Sequence, residues 1–302
     1  MTYKLLLSRS LRTGIAATLA TLAVGCATSP PEPDLPPRKE TILAVTDSHQ
    51  LIRFNAGQPR TLLDKKPLTG LQPGEVILGI DFRLNKGVLY ALGSLRGQGR
   101  LYTIDTATGK ATPVGEPLAV ALEGVEFGFD FNPTVDRIRV VSSTGQNLRL
   151  HPDTGAVVDA DPNQPGLQLD TRLAFDATDR HAGQVATVMA AAYTYNRSND
   201  NITTNFAIDG RFDMLLVQGS REGVVPAVSP NTGKLFTVGK LGAGPAERVS
   251  FDIADSTGAG FAAFTQRRGG SRFYLINLET GTATFLGTIG GGELVRGITF
   301  EP

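Results

Sequence analysis

The sequence has 302 residues, of which 41% are hydrophobic, which is enough to bury the core of one large domain or two small ones. Its 35 glycines and 18 prolines, against three methionines and no tryptophan, favour many strands joined by tight turns. Basic and acidic residues number 29 each, so the formal net charge is zero. This balance, without a basic stripe, argues against nucleic acid as a partner.

The N-terminus has the pattern of a secretory targeting signal. A basic segment without acids precedes the apolar stretch TGIAATLATLAVGCA, which is too short for a comfortable membrane span and contains Cys26. It resembles a bacterial lipoprotein signal, which is cut before a cysteine that then receives lipid, although Ala23 stands where that pattern usually has leucine. A plain secretory signal with a chance cysteine is the alternative. We expect residues 1–25 to be a signal peptide and Cys26 to be lipidated.

The segment after the signal differs in composition from the rest of the chain. The run ATSPPEPDLPPRKE holds five prolines and no hydrophobic periodicity, so residues 26–40 are predicted to form an extended tether. Cys26 is the only cysteine, so the body can form no internal disulfide and must be stabilised by packing. Residues 41–302 are predicted to be a single domain.

A repeated unit fills this domain. Long copies begin at GIDFRLNKG, GFDFNPTVD and SFDIADSTG, and a weaker one begins at LAFDATD. Each copy has a marker aspartate, and Thr299 holds the same place at the C-terminus; the aspartates are Asp81, Asp130, Asp176 and Asp252. Each copy also has a turn glycine: Gly109, Gly155, Gly233 and Gly281. Both series are spaced by 46–49 residues, apart from one gap of 76 or 78, and this agreement argues against chance.

Four short strands per unit predict an all-β fold, a β-propeller. The strands TILAVTD, QLIRFN and RTLLD lack a first strand, which the C-terminal VRGITF supplies, so the ends of the chain close the ring. Five blades are predicted, with six as the alternative if the long fourth unit, residues 167–242, is divided. Within that unit GQVATVMAAAY, residues 183–193, is expected to be the second strand.

The motifs GIDFR, LYTIDTATG, GFDFNP, GQNLRL and NTGKL, with their spacing, resemble the bacterial domain-of-unknown-function family numbered 4394. The resemblance covers residues 41–300, almost the whole predicted domain. It implies a secreted or surface-attached protein and brings no established activity.

The marker aspartates admit two interpretations. They form a ring of acids that binds a cation in the central channel, or each caps a turn or pairs with an arginine of its own blade. Recurrence in every blade favours the second. The loop HPDTGAVVDADPN is also rich in aspartate, but it lacks EF-hand spacing and is better read as a solvated loop. We therefore assign no metal ligand and no cofactor, and Ca²⁺ is the one cation considered.

The third unit carries polar residues that the last blade lacks, and these break the symmetry of the repeat: Asn132, Asp136, Arg137, Asn147 and Arg149. Arginine forks beside amides bind carboxylates, phosphates or sugars. The alternative, which we favour, is an ion-pair network joining Asp136 to Arg137 or Asp130 to Arg149.

A ligand site is predicted at the mouth of the channel. Loops that open on one face of a propeller gather ligands near its axis, and we expect the loops entering the inner strands and those joining the second and third strands to share that face. We place Asn132 and Asp136, after the first strand, and Gln146 and Asn147, around the next turn, at these loops. The polar insertion YTYNRSNDNITTN is expected to lie beside the site as a flexible loop. The predicted pocket consists of Asp81, Arg83, Asp130, Asn132, Arg137 and Arg149.

These observations predict a lipid-anchored propeller of the bacterial envelope, on the outer membrane and facing the periplasm or the exterior. Its expected role is to bind an envelope protein, a glycan or a small polar ligand, with the membrane contacted through the lipid alone. The sequence contains no recognisable catalytic set. The alternative is a metal-assisted hydrolase, lactonase-like, with a cation in the channel.

Overall fold

The chain is built almost entirely from short antiparallel strands, as a computed structural model shows for residues 1–2, 31–266 and 268–302. The predicted signal peptide and Cys26 lie outside the described residues, apart from the first two positions. Glu32–Pro302 form one compact unit, and of the separate unit Met1–Pro31 only the two ends are described. In the described part of the chain, no helix has the length and apolarity needed to cross a membrane.

The strands follow the repeat in chain order. The first three are β1 (Thr41–Thr46), β2 (Gln50–Asn55) and β3 (Gln58–Pro67). The next four are β4 (Val76–Arg83), β5 (Val88–Leu95), β6 (Gln98–Asp105) and β7 (Lys110–Val114). Then come β8 (Phe127–Asn132), β9 (Arg137–Ser142), β10 (Asn147–Leu150) and β11 (Ala174–Phe175). A further four are β12 (Val188–Tyr193), β13 (Asn205–Asp209), β14 (Met214–Gln218) and β15 (Lys234–Lys240). The last are β16 (Arg248–Ile253), β17 (Gly260–Gln266), β18 (Gly270–Ile276), β19 (Ala283–Thr288) and β20 (Val295–Phe300). The described residues also form three single-turn 3₁₀ helices: Leu84–Lys86, Pro230–Thr232 and Ile289–Gly291.

These strands form five sheets arranged as the blades of a β-propeller, which confirms the predicted fold and blade number. The innermost strands β20, β4, β8, β12 and β16 pack against one another in that order around the axis. The predicted closure is also confirmed, because β20 pairs antiparallel with β1 and places Ile42 opposite Phe300. The first blade therefore joins both ends of the domain and leaves no open seam in the ring.

The turns that lead into the last strand of a blade behave as the repeat predicts. In the second blade, one side-chain oxygen of Asp105 accepts hydrogen bonds from the backbone N–H groups of Ala107 and Thr108. Gly109 follows with a φ of 73°, in the left-handed region that glycine adopts without strain. The Asp-x-x-x-Gly pattern therefore stabilises a turn of the scaffold.

The axis is closed by small residues in the middle of the inner strands. One from each strand lines a residual gap of only about 10 Å³: Gly79, Gly128, Ala190, Ser250 and Gly297. At Gly128 a methyl group would lie 2.5 Å from the backbone nitrogen of Ala191, so the neighbouring strand requires glycine here. The predicted central channel is thus a packed axis, which forms a floor beneath any cavity at either face.

The third and fourth blades depart from the predicted boundaries. The third blade has three strands, β8 to β10, and the long stretch after β10 ends in β11, which pairs parallel with the outer strand β15 of the next blade. The inner strand of the fourth blade is β12, so the expectation that residues 183–193 form its second strand is wrong. Asp176 follows β11 at the outer edge and pairs with Lys234, so it does not mark an inner strand.

Candidate functional site

Three carboxylates meet at the axis, directly above the layer of small residues. Asp81, Asp130 and Asp252 lie near the ends of β4, β8 and β16, two positions after the glycine or serine that packs the axis. All three are at least 92% buried, and one carboxylate oxygen of each lies within 4.8 Å of those of the other two. Side chains alternate across a strand, so the same register that turns the small residues inward also turns these aspartates inward.

The remaining two blades do not supply a carboxylate at this level. The matching position of β20 is Thr299, whose hydroxyl donates a 3.0 Å hydrogen bond to Asp81, and the matching position of β12 is Ala192. The sequence therefore predicted Thr299 correctly, whereas Asp176 was assigned in place of Ala192. The axial ring contains three acids in five blades, and Thr299 and Ala192 take the other two positions.

Backbone hydrogen bonds hold the three carboxylates in place. The backbone N–H groups of Phe82 and Phe131 each donate to Asp81 at 2.7 Å, so this side chain joins the second blade to the third. Asp130 similarly joins the third blade to the fourth, because one of its oxygens accepts from the N–H of Tyr193 at 2.9 Å. The markers therefore act as part of the scaffold by bonding to backbone groups of the next blade, and not by capping a turn of their own blade as the scaffolding interpretation predicts. That interpretation is also wrong about arginine, since no described cationic side chain pairs with any of the three.

Burial without a counter-charge changes how these acids titrate. Burial raises the pKa of Asp81 to about 7, and the charge of Asp255 adds to the effect. Burial likewise raises the pKa of Asp130 and of Asp252 well above the ordinary 3.8, and in both the charge of Asp81 adds. The second carboxylate oxygen of Asp130 has no hydrogen-bond partner in the described part of the chain. The cluster is therefore arranged to take up positive charge, as protons or as a cation.

A polar cavity of about 220 Å³ opens above the three carboxylates. Its wall is formed by the loops that follow the inner strands, including Asn85, Pro133 and Asp255. Three residues of the insertion YTYNRSNDNITTN, Tyr193, Tyr195 and Asp200, also line it. The insertion is the loop between β12 and β13 and stands beside the cavity, as predicted. Burial raises the pKa of Asp255 to about 6, which leaves this residue able to exchange protons near neutrality.

Arg83 shapes the wall of the axial cavity. Its guanidinium is almost completely buried and forms ion pairs with Asp136 and Asp153. The carboxylate of Asp153 belongs to the aspartate-rich loop noted in the sequence, so that loop anchors an arginine. With two carboxylates already bound to it, Arg83 is not available to neutralise the axial acids.

The six residues predicted to form one pocket fall into two adjacent cavities. The axial cavity is lined by Asp81, Arg83, Asp130 and Asn132. Arg137 and Arg149 line a neighbouring cavity of about 350 Å³, which shares Asn132 with the first. Gln146 lies at the other end of its hairpin, where it bonds to Ala121 and Glu123, so the expectation that the loop between the second and third strands shares the site face is wrong.

The ion pairs predicted for the third blade are also wrong. Asp136 pairs with Arg83, and the side chain of Arg137 donates to the backbone carbonyl of Asp136 instead of its carboxylate. Arg149 pairs with Asp170, and Asp130 has no ion-pair partner among the described residues. The arginine network is real, but its members are different.

Sequence reasoning misses two residues that line the cavities, Asp252 and Tyr193, and a third, Asp170, that pairs with two arginines of the second cavity. Asp252 was recognised as a marker and left out of the pocket, because it recurs with the repeat. Tyr193 was read as part of a second strand, and Asp170 lies in a loop without any motif. One sequence signal could have found the inner strand of the fourth blade. A small residue stands two places before each inner aspartate, and Ala190 stands two places before Ala192 in the same way, which identifies β12 as an inner strand.

The sequence profile of the family described as a domain of unknown function (DUF4394) matches residues 50–299. The chain belongs to the DUF4394 family. This confirms the resemblance noted in the motifs. No curated protein matches the chain in sequence.

The solved structures to which the chain is similar have low sequence identity to it. A protein of unknown function from Bacteroides thetaiotaomicron has 12% identity and a TM-score of 0.45, covering 80% of this chain and 56% of its own. A "putative 6-phosphogluconolactonase" from Bacteroides uniformis has 11% identity and a TM-score of 0.42, covering 82% of each chain. A GH43 glycoside hydrolase has 13% identity and a TM-score of 0.44, covering 82% of this chain and 53% of its own. These likenesses carry no information about activity in the DUF4394 chain.

Proposed function

We propose that this DUF4394 propeller is a cation-dependent binding module, in which Asp81, Asp130 and Asp252 hold a divalent cation, Ca²⁺. The open coordination positions of the cation then bind a small polar ligand. The observation that carries the proposal is the set of three buried axial carboxylates without a cationic side-chain partner. Taking one carboxylate out of water costs several kcal/mol unless it is compensated, and here three lie together. A bound cation supplies the compensation that the described side chains do not.

The donor set favours calcium among the biological cations. Hard cations take oxygen ligands, and none of the residues lining the axial cavity in the described part of the chain is a histidine or a cysteine. Each oxygen ligand lies about 2.3–2.6 Å from Ca²⁺, so no two oxygens on one ion are more than about 4.6–5.2 Å apart. The three carboxylate oxygens, within 4.8 Å of one another, satisfy that limit. Ca²⁺ takes about six to eight oxygens, so positions remain for water and for a ligand in the cavity.

Calcium titration of the purified protein by isothermal calorimetry tests this proposal. We expect wild type to bind one Ca²⁺ and to melt at a higher temperature with Ca²⁺ than with a chelator. Asp130→Asn removes one charged ligand at nearly constant shape and is expected to weaken binding at least about tenfold, a change of about 1.4 kcal/mol. Asp161→Asn, in the other aspartate-rich loop, is the matched control and is expected to bind as wild type. An identical melting temperature in Ca²⁺ and chelator, with no binding heat, contradicts the proposal.

A second function, a metal-assisted hydrolase of the lactonase type, is favoured by one observation. Asp255 lines the axial cavity with a pKa of about 6, as suits a general base beside a cation-bound substrate. The calorimetry samples, assayed for turnover of a simple lactone, distinguish the two functions. Turnover by wild type that is lost in Asp255→Asn, while Ca²⁺ binding remains, favours the hydrolase over the binding module.

We also propose that the propeller is attached to the bacterial envelope through lipid on Cys26, on the outer membrane and facing the periplasm or the exterior. The support is the apolar signal-like segment before this single cysteine. We expect wild type in the membrane fraction of its host and a Cys26→Ala variant in the soluble fraction. Immunoblotting of the two fractions, after the membranes are washed with high salt, measures the distribution. Equal partition of the two proteins contradicts lipid anchoring.

A further inference from the structure

A second cavity, between the third and fourth blades, is lined by three arginines. Its volume is about 350 Å³, and Arg137, Arg139 and Arg149 contribute to its wall together with Tyr193 and Asn231. The three arginines come from β9 and β10, where neighbouring strands place Arg139 directly opposite Arg149. The pairing of β9 with β10 therefore fixes the positions of these arginines.

Positive charge exceeds negative charge around this cavity. Asp170 is the single carboxylate that pairs with these arginines in the described residues, at 2.6 Å from Arg139 and 2.7 Å from Arg149. Arg137 has no carboxylate partner there, because its side chain donates only to backbone carbonyls of the adjoining turn. Three guanidinium groups against one carboxylate leave an excess of two positive charges.

Two of the arginines retain donors that no described acceptor uses. Arg149 directs Nε and Nη2 at Asp170, which leaves Nη1 free. Arg137 bonds through Nη1 alone, which leaves Nε and Nη2 free. Arg139 differs, since its nitrogens bond to Tyr193, Asn147, Asp170 and Asn231. Arg139 is thus a charge held in the wall, whereas Arg137 offers a fork of two free nitrogens, and Arg149 one free nitrogen, to a ligand.

We propose that this cavity binds an oxyanion, the carboxylate or phosphate group of a small ligand, through Arg137 and Arg149. The planar guanidinium fork matches the paired oxygens of such a group, and charge-assisted hydrogen bonds of this kind are about twice as strong as neutral ones. The excess positive charge is the reason that an anion and not a neutral sugar is selected. The site needs no axial cation, so it is independent of the proposed calcium function.

Tyr193 connects this cavity physically with the axial one. Its backbone N–H donates to Asp130 at the axis, and its hydroxyl accepts from Nε of Arg139 at 3.2 Å. Tyr193 and Asn132 line both cavities. A ligand with an acid group and hydroxyls therefore has an arginine fork and the axial carboxylates on one face of the propeller.

Calorimetric titration with D-glucuronate, inorganic phosphate and D-glucose at low ionic strength tests the anion site. We expect wild type to bind at least one of the two anions in the presence of chelator, and to bind glucose at least about tenfold more weakly. The anion that binds more tightly shows whether the site prefers a carboxylate or a phosphate group. Arg137→Ala is expected to weaken anion binding at least about tenfold, since hydrogen bonds to charged groups contribute about 1.5–3 kcal/mol. The exposed Arg172 supplies the matched control, Arg172→Ala, which is expected to bind as wild type.

Circular dichroism establishes that each variant is folded, and Arg137→Lys, which keeps the charge and loses the fork, replaces Arg137→Ala if that variant is not. The proposal is overturned if wild type binds neither anion at millimolar concentration, if the Arg137 variant binds as wild type, or if Arg172→Ala weakens binding equally. Wild-type protein that binds an anion but no Ca²⁺ contradicts only the proposed axial function. Wild-type protein that binds Ca²⁺ but neither anion contradicts only the anion site.

Discussion

Replacement of Asp170 with alanine is expected to lower the free energy of unfolding by about 3–5 kcal/mol. The side chain of Asp170 is only 1% exposed and bonds to two arginines, Arg139 and Arg149. Its removal leaves the guanidinium of Arg139, which is 3% exposed, buried beside a second positive charge without compensation. Truncation of one member of a buried, hydrogen-bonded charge cluster is among the few point changes that cost this much.

Urea unfolding, monitored by circular dichroism, measures the effect. The matched control is Glu123→Ala, which removes the carboxylate that pairs with Arg172 at the surface, where the two side chains are 52% and 57% exposed. Exposed pairs of this kind contribute about 0–1 kcal/mol, so the control is expected to unfold almost as wild type does. Equal losses in both variants contradict the prediction that the buried Asp170 pairs stabilise the fold.

The propeller was predictable because its strand pattern is repeated and its turns are local. Turn aspartates such as Asp105 bond to backbone groups two and three residues ahead, and the glycine that follows has a conformation that few other residues adopt. Both signals are contained in a few residues. The closure by β20 was predictable for the same reason, since VRGITF is an inner strand in sequence and lacks a blade of its own.

The misplaced fourth blade shows where such local signals fail. Phe175 and Asp176 reproduce the Phe-Asp pair of an inner strand, yet β11 pairs parallel with the outer strand β15. Whether a short apolar segment lies inside or outside a sheet is decided by pairing across many residues, and the register marker is missing from β12 because Ala192 replaces aspartate. An insertion before that strand removed the spacing that could have corrected the assignment.

The candidate site was predictable in part. Asp81 and Asp130 belong to the repeat, so their meeting at the axis follows from the fold. The partners of the arginines do not follow from it: Asp136 and Arg137 are adjacent in sequence, but Asp136 pairs with Arg83 and Arg137 donates to the backbone carbonyl of Asp136. Asp170 comes from a loop that no repeat describes, and only the folded chain brings it to Arg139.

Thermal stability without divalent cations is expected to decrease as the pH rises from about 4 to about 7. The pKa of Asp81 is about 7 in the folded protein and near 3.8 when the chain is unfolded, and burial moves the pKa of Asp130 and Asp252 in the same direction. The folded state therefore binds more protons than the unfolded state in this window, and stability falls with pH wherever that is so. The contribution of these raised groups is complete below pH 4 and is lost as the pH passes the folded pKa values.

Calcium is expected to reverse this dependence, because a cation replaces the protons among the axial carboxylates. At pH 7.5 saturating Ca²⁺ is expected to raise the melting temperature by several degrees, about 2–4 °C for each kcal/mol, and at pH 4.5 to change it little. Differential scanning calorimetry across this pH range, with Ca²⁺ or with chelator, measures both curves. Glu126, whose pKa burial also raises to about 7, is absent from the lining of the axial cavity, so Glu126→Gln is the control that keeps the calcium response. Asp130→Asn is expected to flatten the curve in chelator and to lose the calcium response. A curve that falls equally steeply with and without Ca²⁺ means that the axial acids take up protons alone.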